Sequence, residues 1–402
     1  MTDASRQVIV HDDFAALPAD VASFLAASGA DDLCLTGAWF DLLWQHSPMP
    51  GHAPRIYVVR PKVGAGVDCV FFAATAREPR RPRRLLSLTN FYTMTFAPIL
   101  RPDLADVETV LDALAMHIAR ERPAWDVIEL SRFVREDPRT EQMIEAFGRA
   151  GMLVDTYAQF ENWFFPTNGV SAAQYFNTRP SQVRNTITRK LKKAQKERKI
   201  GFHFYESSQE LAAGLADYEK IYAHSWKRPE AYPAFIPELM RCAAAAGSLR
   251  LGVLRVDDDP AAAQIWLVTG RRATIYKLAY DEKYAPLSVG SILTKMMFDR
   301  VLERDRVAEV DYGIGSEPYK LDWMSDCRHV IGVVCFQRGS VLGLLSAARH
   351  YGGHWGRCGL ERARHLAAAR GAIVVRWLQR IRTQKADRIA TDASNRAKGP
   401  VS

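Results

Sequence analysis

The chain has 402 residues with 48% hydrophobic and 25% charged side chains, the balance of a folded globular protein and not of a disordered or fibrous one. That length exceeds one ordinary core and points to two lobes plus an extension. The net charge of +9 is uneven: residues 338–402 hold 13 Lys/Arg against 3 Asp/Glu, and residues 184–199 hold 8 basic side chains against Glu197 alone, so two local basic elements set the charge and a general nucleic-acid binder is not indicated. Met1-Thr2-Asp3-Ala4 lacks a basic stretch followed by an apolar run, so no signal peptide is expected, and no run reaches ~18 apolar residues. The cysteines at 34, 69, 242, 327, 335 and 358 form no Cys-x-x-Cys pair, so free thiols and a cytoplasmic location are expected.

In chain order, Ala38–Leu43 reads as a docked helix. Arg55–Arg60 and Cys69–Thr75 read as consecutive strands rich in β-branched and aromatic residues. Arg77–Arg84 is a Pro/Arg loop. Val107, Val110, Leu111, Leu114 and Ile118 recur at helical spacing across Asp106–Arg120. A short strand at Trp125–Ser131, a helix at Thr140–Gly151 and a strand at Ala158–Phe165 follow. The cluster Pro166-Thr167-Asn168-Gly169 is a turn and the expected lobe boundary. Ser171 to Gln174 starts a helix, and a basic helix begins at Ser181 behind Pro180. Helices at Gln209–Arg228 and Pro237–Ala246 precede strands at Leu249–Val256, Ala262–Thr269 and Ala273–Tyr280. A helix at Val289–Arg304 and strands at Glu309–Tyr312 and Val330–Phe336 complete an α/β (α+β) layer pattern. In the tail, Leu366, Ile373, Trp377 and Ile381 alternate with arginines as a basic amphipathic helix, and from Ala386 the composition is that of a disordered segment. The expected divisions are 1–165, 166–340 and 341–402.

Two segments carry chemistry. In Tyr276–Ser291 a strand runs through a short loop into a helix, where free amides and the helix dipole suit a phosphate. Ser288 is placed as the N-cap and Gly290 permits close backbone approach. In Asp311–Trp323, a glycine turn through Gly313 and Gly315 presents Tyr319 and Lys320; the lysine is either a surface charge or a partner for a phosphate or oxyanion. Asp281 either caps a turn or contacts substrate. Trp226 is either core or a ligand platform, and the basic helix is either a solvated face or an anion contact. His350, His354 and Cys358 have helical metal-ligand spacing, but nearby glycines and the missing fourth ligand argue against zinc, and no metal is expected. No nucleophile elbow or Walker A pattern occurs.

Together, Tyr276, Ala279-Tyr280-Asp281, Tyr284, Ser288, Gly290 and Leu293, followed by Asp311-Tyr312-Gly313, Gly315, Tyr319-Lys320 and Trp323, resemble the CelD-like (cellulose-biosynthesis-associated) acetyltransferases of the GNAT superfamily, relatives of the Fem-type aminoacyltransferases. Ser225-Trp226-Lys227 and the basic helix with Arg184, Arg189 and Lys190 fit the same order. The resemblance covers about residues 33–336 and is densest at 180–325. It implies tandem GNAT-like lobes, mixed twisted sheets flanked by helices, with a basic helical tail. It implies an acyl-CoA co-substrate, held by Leu278, Ser288, Val289, Gly290, Ser291 and Tyr319, and direct transfer to an amine or hydroxyl. Asp281 would serve the acceptor, Tyr284 the sulfur and Lys320 the transferring group, while Trp226, Lys227, Arg184 and Tyr280 would bind the acceptor. One departure is the loop itself, which has one glycine and a proline where single-lobe GNAT enzymes have a glycine-richer phosphate loop. The alternatives are an aminoacyl-tRNA donor and a non-catalytic binding protein docked through its tail. A small-molecule or sugar-linked acceptor, envelope or polysaccharide chemistry, and a peripheral membrane or protein contact of the tail complete the expectations; the oligomeric state stays open.

Overall fold

The computed structural model describes residues 5–28, 31–76 and 82–352. Met1–Gly343 form one compact unit and Leu344–Ser402 a second, of which 344–352 are described and helical. The basic tail helix, the polar end, His354 and Cys358 lie outside the described residues. The five described cysteines are free.

The strands are β1 Arg6–His11, β2 His52–Pro61, β3 Cys69–Ala76, β4 Arg84–Ser87, β5 Ile99–Leu100, β6 Val127–Val134 and β7 Leu153–Pro166, then β8 Ile200–Tyr205, β9 Leu249–Val256, β10 Asp259–Thr269, β11 Arg272–Tyr280, β12 Glu309–Ile314 and β13 Asp326–Phe336. The helices are α1 Ala19–Ala27, α2 Gly37–His46, α3 Val107–Arg120, α4 Pro138–Arg149, α5 Ala172–Thr178, α6 Ser181–Glu197, α7 Leu211–Ala223, α8 Phe235–Ala245, α9 Val289–Arg300 and α10 Pro318–Leu321. Their starts follow local chemistry. Asp106 and Asp137 cap α3 and α4, and Ser171 with Gln174 forms a reciprocal capping box on α5. The expected helix to Arg304 stops at Arg300 and continues as a wider π-type turn to Asp305.

One mixed sheet joins the strands in the order β1-β2-β3-β4-β6-β13-β7-β12-β11-β10-β9-β8, with β5 beside β3. The order contains a repeat. In each half four strands run as an antiparallel series, and the last of them pairs in parallel with a fifth over three residues: Arg84–Leu86 with Val127–Glu129, and Arg272–Thr274 with Glu309–Asp311. The sixth strands are exchanged. β7, from the first half, pairs with β12, and β13, from the second, pairs with β6; β7 and β13 pair with each other. The fold is thus mixed α/β with two similar halves in one flanked sheet.

Alternation along β10 shows how helices cover the second half. Ala263, Ile265 and Leu267 join the core shared with α7 and α8, and Ala262 and Trp266 join the core under α9. Small residues at Ala261, Ala262 and Ala263 let helices approach both faces of a fully buried strand.

The opening between β11 and β12 has a physical cause. Their parallel pairing ends at Thr274 and Asp311, and the β12–β7 register shifts between Asp311 and Ile314. There the buried Asn162 amide donates to Asp311 Oδ1 (2.7 Å) and to the Gly313 carbonyl (2.8 Å). Asp311 also accepts from the Gly313 amide (2.6 Å) and pairs with Arg328 (2.6 Å). Arg328 reaches Glu309 (2.7 Å), which pairs with Arg272, which pairs with Asp32. Burial alone would weaken the Arg328 charge; Asp311 and Glu309 outweigh it and hold its pKa above the usual value. Asp311→Ala removes one of the two carboxylates on Arg328 and leaves the Gly313 amide and one Asn162 bond unsatisfied, so urea titration should show a loss of about 1–3 kcal/mol per unsatisfied buried group, with a smaller loss for Asp311→Asn.

Candidate active site

A cleft of about 890 Å³ lies where β11 leaves β12. Its walls come from β11, the start of α9, the turn from Tyr312 to Trp323, one face of α6, the segment holding Trp226 and Lys227, and, from the first half, Phe91, Tyr92 and Met94.

β11 supplies backbone. The Asp281 amide donates to the Ala261 carbonyl on the β10 side. An antiparallel ladder alternates, so Leu278 and Tyr280 turn their N–H and C=O groups away from β10, into the opening. At the end of the strand, residues 282–287 form a short 3-10 turn and Ser288 adopts a left-handed conformation (φ 57°). Ser288 stands at the N-cap position, but its side chain makes no capping bond. The first amide bonded back along α9 is that of Ile292, to the Ser288 carbonyl. The Val289, Gly290 and Ser291 amides therefore have no acceptor within the helix, and the positive end of the dipole faces the cleft. Gly290 is needed for contact: a Cβ there would stand 3.2 Å from the Tyr280 ring. Buried Gln264 fixes this helix start, donating to Thr294 Oγ1 (2.7 Å) and the Gly290 carbonyl (3.2 Å) while accepting from Trp266 (2.9 Å).

Of the sequence-derived site residues, Leu278, Tyr280, Gly290, Ser291, Trp226, Lys227, Tyr319 and Lys320 meet at this cleft. Trp226 is 47% exposed and rests on the Tyr280 ring, centroids 4.5 Å apart. Tyr319 is 44% exposed, edge-on to buried Tyr312, and burial followed by the Glu317 charge pushes its phenol up to about 12. Val289 contributes an amide only, its side chain being core.

Four expectations are corrected in position and a fifth, Lys320, in role. Side chains alternate along β11: Leu278 and Tyr280 join the α9 core and Ala279 the α7 core, so Asp281 turns to the α7 side. Asp281 is buried, accepts from the Lys283 amide (3.0 Å) and pairs with Lys283 (3.3 Å). The Tyr284 hydroxyl donates to Asp259 (2.9 Å), which also pairs with Lys220 and Lys283. Those hydrogen bonds hold the Asp259 carboxyl below its ordinary range. Arg184 turns to the Arg179 carbonyl (3.1 Å), and Ser288 is a conformational corner outside the cleft wall. Lys320 does border the cleft but is 3% exposed and spent on structure. Its ammonium donates to the carbonyls of Ile314 and Gly315 and pairs with Glu317 (2.8 Å). Gly315, at φ 103°, closes the turn that this lysine staples.

The network behind the cleft residues Tyr92 and Lys277 was not legible. Glu230 accepts from Lys277 (2.6 Å), Tyr92 (2.9 Å) and Tyr222 (2.9 Å), a network reaching across 138 positions of sequence. Burial pushes its carboxyl up, but these donors outweigh it and hold it low.

Residues 181–321 match the family model described as an acetyltransferase (GNAT) domain. That segment carries a GNAT acetyltransferase domain, which supports an acyltransferase. No curated protein matches it in sequence. Among solved structures it is similar to FemX, at 11% identity over 78% of this chain and 94% of that one, TM-score 0.54. It is also similar to a conserved protein of unknown function from Bacteroides thetaiotaomicron, at 10% identity over 82% of this chain and 100% of that one, TM-score 0.53. These likenesses concern the fold. The family match and the β11–α9 corner coincide, and GNAT domains in general take an acyl-CoA co-substrate. Among the described residues no helix is long and apolar enough to cross a membrane.

The Lys320 geometry predicts a stability phenotype. Lys320→Ala removes the donor to two carbonyls, and at about 1–3 kcal/mol per unsatisfied buried group the loss should be plain in a urea titration.

Proposed function

We propose that this chain moves an acyl group from acyl-CoA directly to an amine or hydroxyl of a small-molecule or sugar-linked acceptor, as a CelD-like enzyme. The observation that carries this reading is the widening gap between β11 and β12, which ends on the free amides of α9. The pyrophosphate lies against the Val289, Gly290 and Ser291 amides, where anions are favoured. The pantetheine arm runs along β11 and bonds the exposed backbone of Leu278 and Tyr280, as an added strand would. The thioester carbonyl then faces the wall shared with Trp226, Lys227 and Tyr319. Tyr319, protonated at every physiological pH, supplies a proton to the departing thiolate.

The test is ligand-induced stabilisation with several acyl-CoAs. At a hundredfold excess over Kd the folded state should gain about 2.7 kcal/mol, read as a rise in Tm. Gly290→Val, which drives a branched side chain into the Tyr280 ring, should abolish the rise. Tyr284→Phe should keep wild-type turnover, because that hydroxyl serves Asp259. Absence of any rise with wild-type protein removes the reading.

One observation favours an aminoacyl-tRNA donor as the second reading. Arg189, Lys192, Lys193 and Lys196 are all exposed and follow the i, i+3, i+4, i+7 stripe of α6, whose other face lines the cleft. Only Lys193 has an ionic partner among the described residues, Glu197 at 3.8 Å. Under this reading RNA affinity falls steeply with salt, and reversing Arg189, Lys192 and Lys196 to Glu flattens that dependence by about one unit of slope per lost phosphate contact. Unchanged RNA binding in the triple variant rules it out. The expected membrane or protein contact of the basic tail concerns residues outside the described part.

A further inference from the structure

Lys227 is the one cleft lysine among the described residues without a carboxylate at ion-pair distance. It follows Trp226 on the segment between α7 and α8, is half-buried, and holds its ammonium nitrogen 5.8 Å from the Trp226 ring centroid. The charged groups around it are engaged with each other. Lys277 of β11 is bonded to Glu230 on Lys227's own segment, and Glu317, on the turn before α10, is bonded to Lys320. The cleft therefore presents an amine that Glu230 and Glu317 favour only from a distance, with no carboxylate of its own among the described residues.

We propose that Lys227 is the base that takes the proton from the attacking acceptor, and that this acceptor is an amine. The proposal rests on the reading of the cleft as an acyl-transfer site. Burial, and then the neighbouring Lys277 charge, push the Lys227 amine down to about 8, against about 10.4 for a free lysine. A sizeable fraction is neutral in weakly alkaline solution, which an ion-paired lysine would not achieve. A base near the working pH balances proton affinity against the fraction in the active form.

The step balances within the site. The acceptor nitrogen forms a bond to the thioester carbonyl carbon and the C–S bond breaks. The nitrogen loses one proton to Lys227 Nζ, and the CoA thiolate gains one, first from Tyr319, whose phenol is then restored by the proton on Lys227. The products are an amide and CoA thiol, with no other reactant. An amine suits this base best: its nitrogen becomes acidic as the bond forms, so a modest base removes the proton. A hydroxyl is the weaker nucleophile and must lose its proton as it attacks. The competing role is a fixed cation that holds an acidic group of the acceptor, which would require the lysine to stay protonated.

Two measurements on the full chain decide between them. First, trace acetylation with acetic anhydride over about pH 6–11 is read at each lysine by peptide mass spectrometry, with and without CoA. Lys227 should label with a midpoint of about 8, ahead of a free-lysine standard at about 10.4. Labelling together with that standard overturns the base role. So does a Lys227 that CoA fails to protect while CoA still raises Tm. If CoA raises no Tm, the acyl-CoA reading itself fails and takes this proposal with it.

Second, thiol release from acetyl-CoA is followed with ethanolamine and methylamine as acceptor probes. The wild-type rate should climb with pH through about 8, since the base must be unprotonated. Lys227→Arg keeps the cation but cannot lose its proton, and should lose that limb and about 100-fold in rate, with CoA-induced stabilisation intact. Lys227→Ala should recover part of the rate with added imidazole as an external base. An arginine variant with the wild-type rate and pH profile makes Lys227 a charge only and overturns the proposal.

Discussion

The site depends on a buried carboxylate at the last residue of a short parallel ladder. Asp311 is bonded at once to Asn162, to the Gly313 amide and to Arg328, so β12 cannot continue beside β11. Isolated buried charges are costly, and this one is stable because each oxygen has partners and the guanidinium is itself shared with Glu309. The bend it imposes opens the sheet, frees the inner edge of β11 and brings the α9 amides to the rim. Gln264, on the neighbouring strand, then sets the height of that rim through the Gly290 carbonyl and Thr294.

The first half has the same ladder and, among the described residues, fills the place of the opening. Its parallel pair β4–β6 is followed by residues 88–97, which are largely buried and run into the corresponding place. The Ser131 amide donates to Ser87 Oγ (2.9 Å), the Phe96 amide to the Arg132 carbonyl (2.7 Å), and the Phe96 ring meets Phe133 edge-on. One half keeps its gap for a ligand; the other closes it with its own chain, and Tyr92 and Met94 from that chain become walls of the first.

The legible parts of the sequence are those whose cause is local. The strand-to-helix junction at Tyr280–Ser291 is written in residue types, and so are the α3 stripe, the Ser171 capping box and the positive-φ turn at Asn168 and Gly169. Edge strand β8 is not legible, because half-exposed Ile200–Tyr205 has no continuous apolar run, whereas β1 is carried by the short run Val8-Ile9-Val10. Asp281 and Tyr284 are adjacent in sequence to true cleft residues yet face Asp259 and Lys283. A register shift opposite Tyr276 and the period of two decide that direction, and neither can be read from residue types. Lys320 looks like a reactive cation until the carbonyls of its own turn are seen around it. Tyr92, Lys227, Glu230 and Lys277 are brought together only by the sheet.

The exchanged strands carry a mechanical consequence. With β7 bonded to β12 and β13 bonded to β6, prising the halves apart would unzip two continuous ladders. The molecule has a seam where many two-lobed enzymes have a hinge. Under the proposed acyl transfer, access to the thioester is governed by side chains and short connecting segments, above all residues 224–234 and the aromatic corner at Phe91. Selection among acceptors is then a matter of threading an aperture framed by those segments.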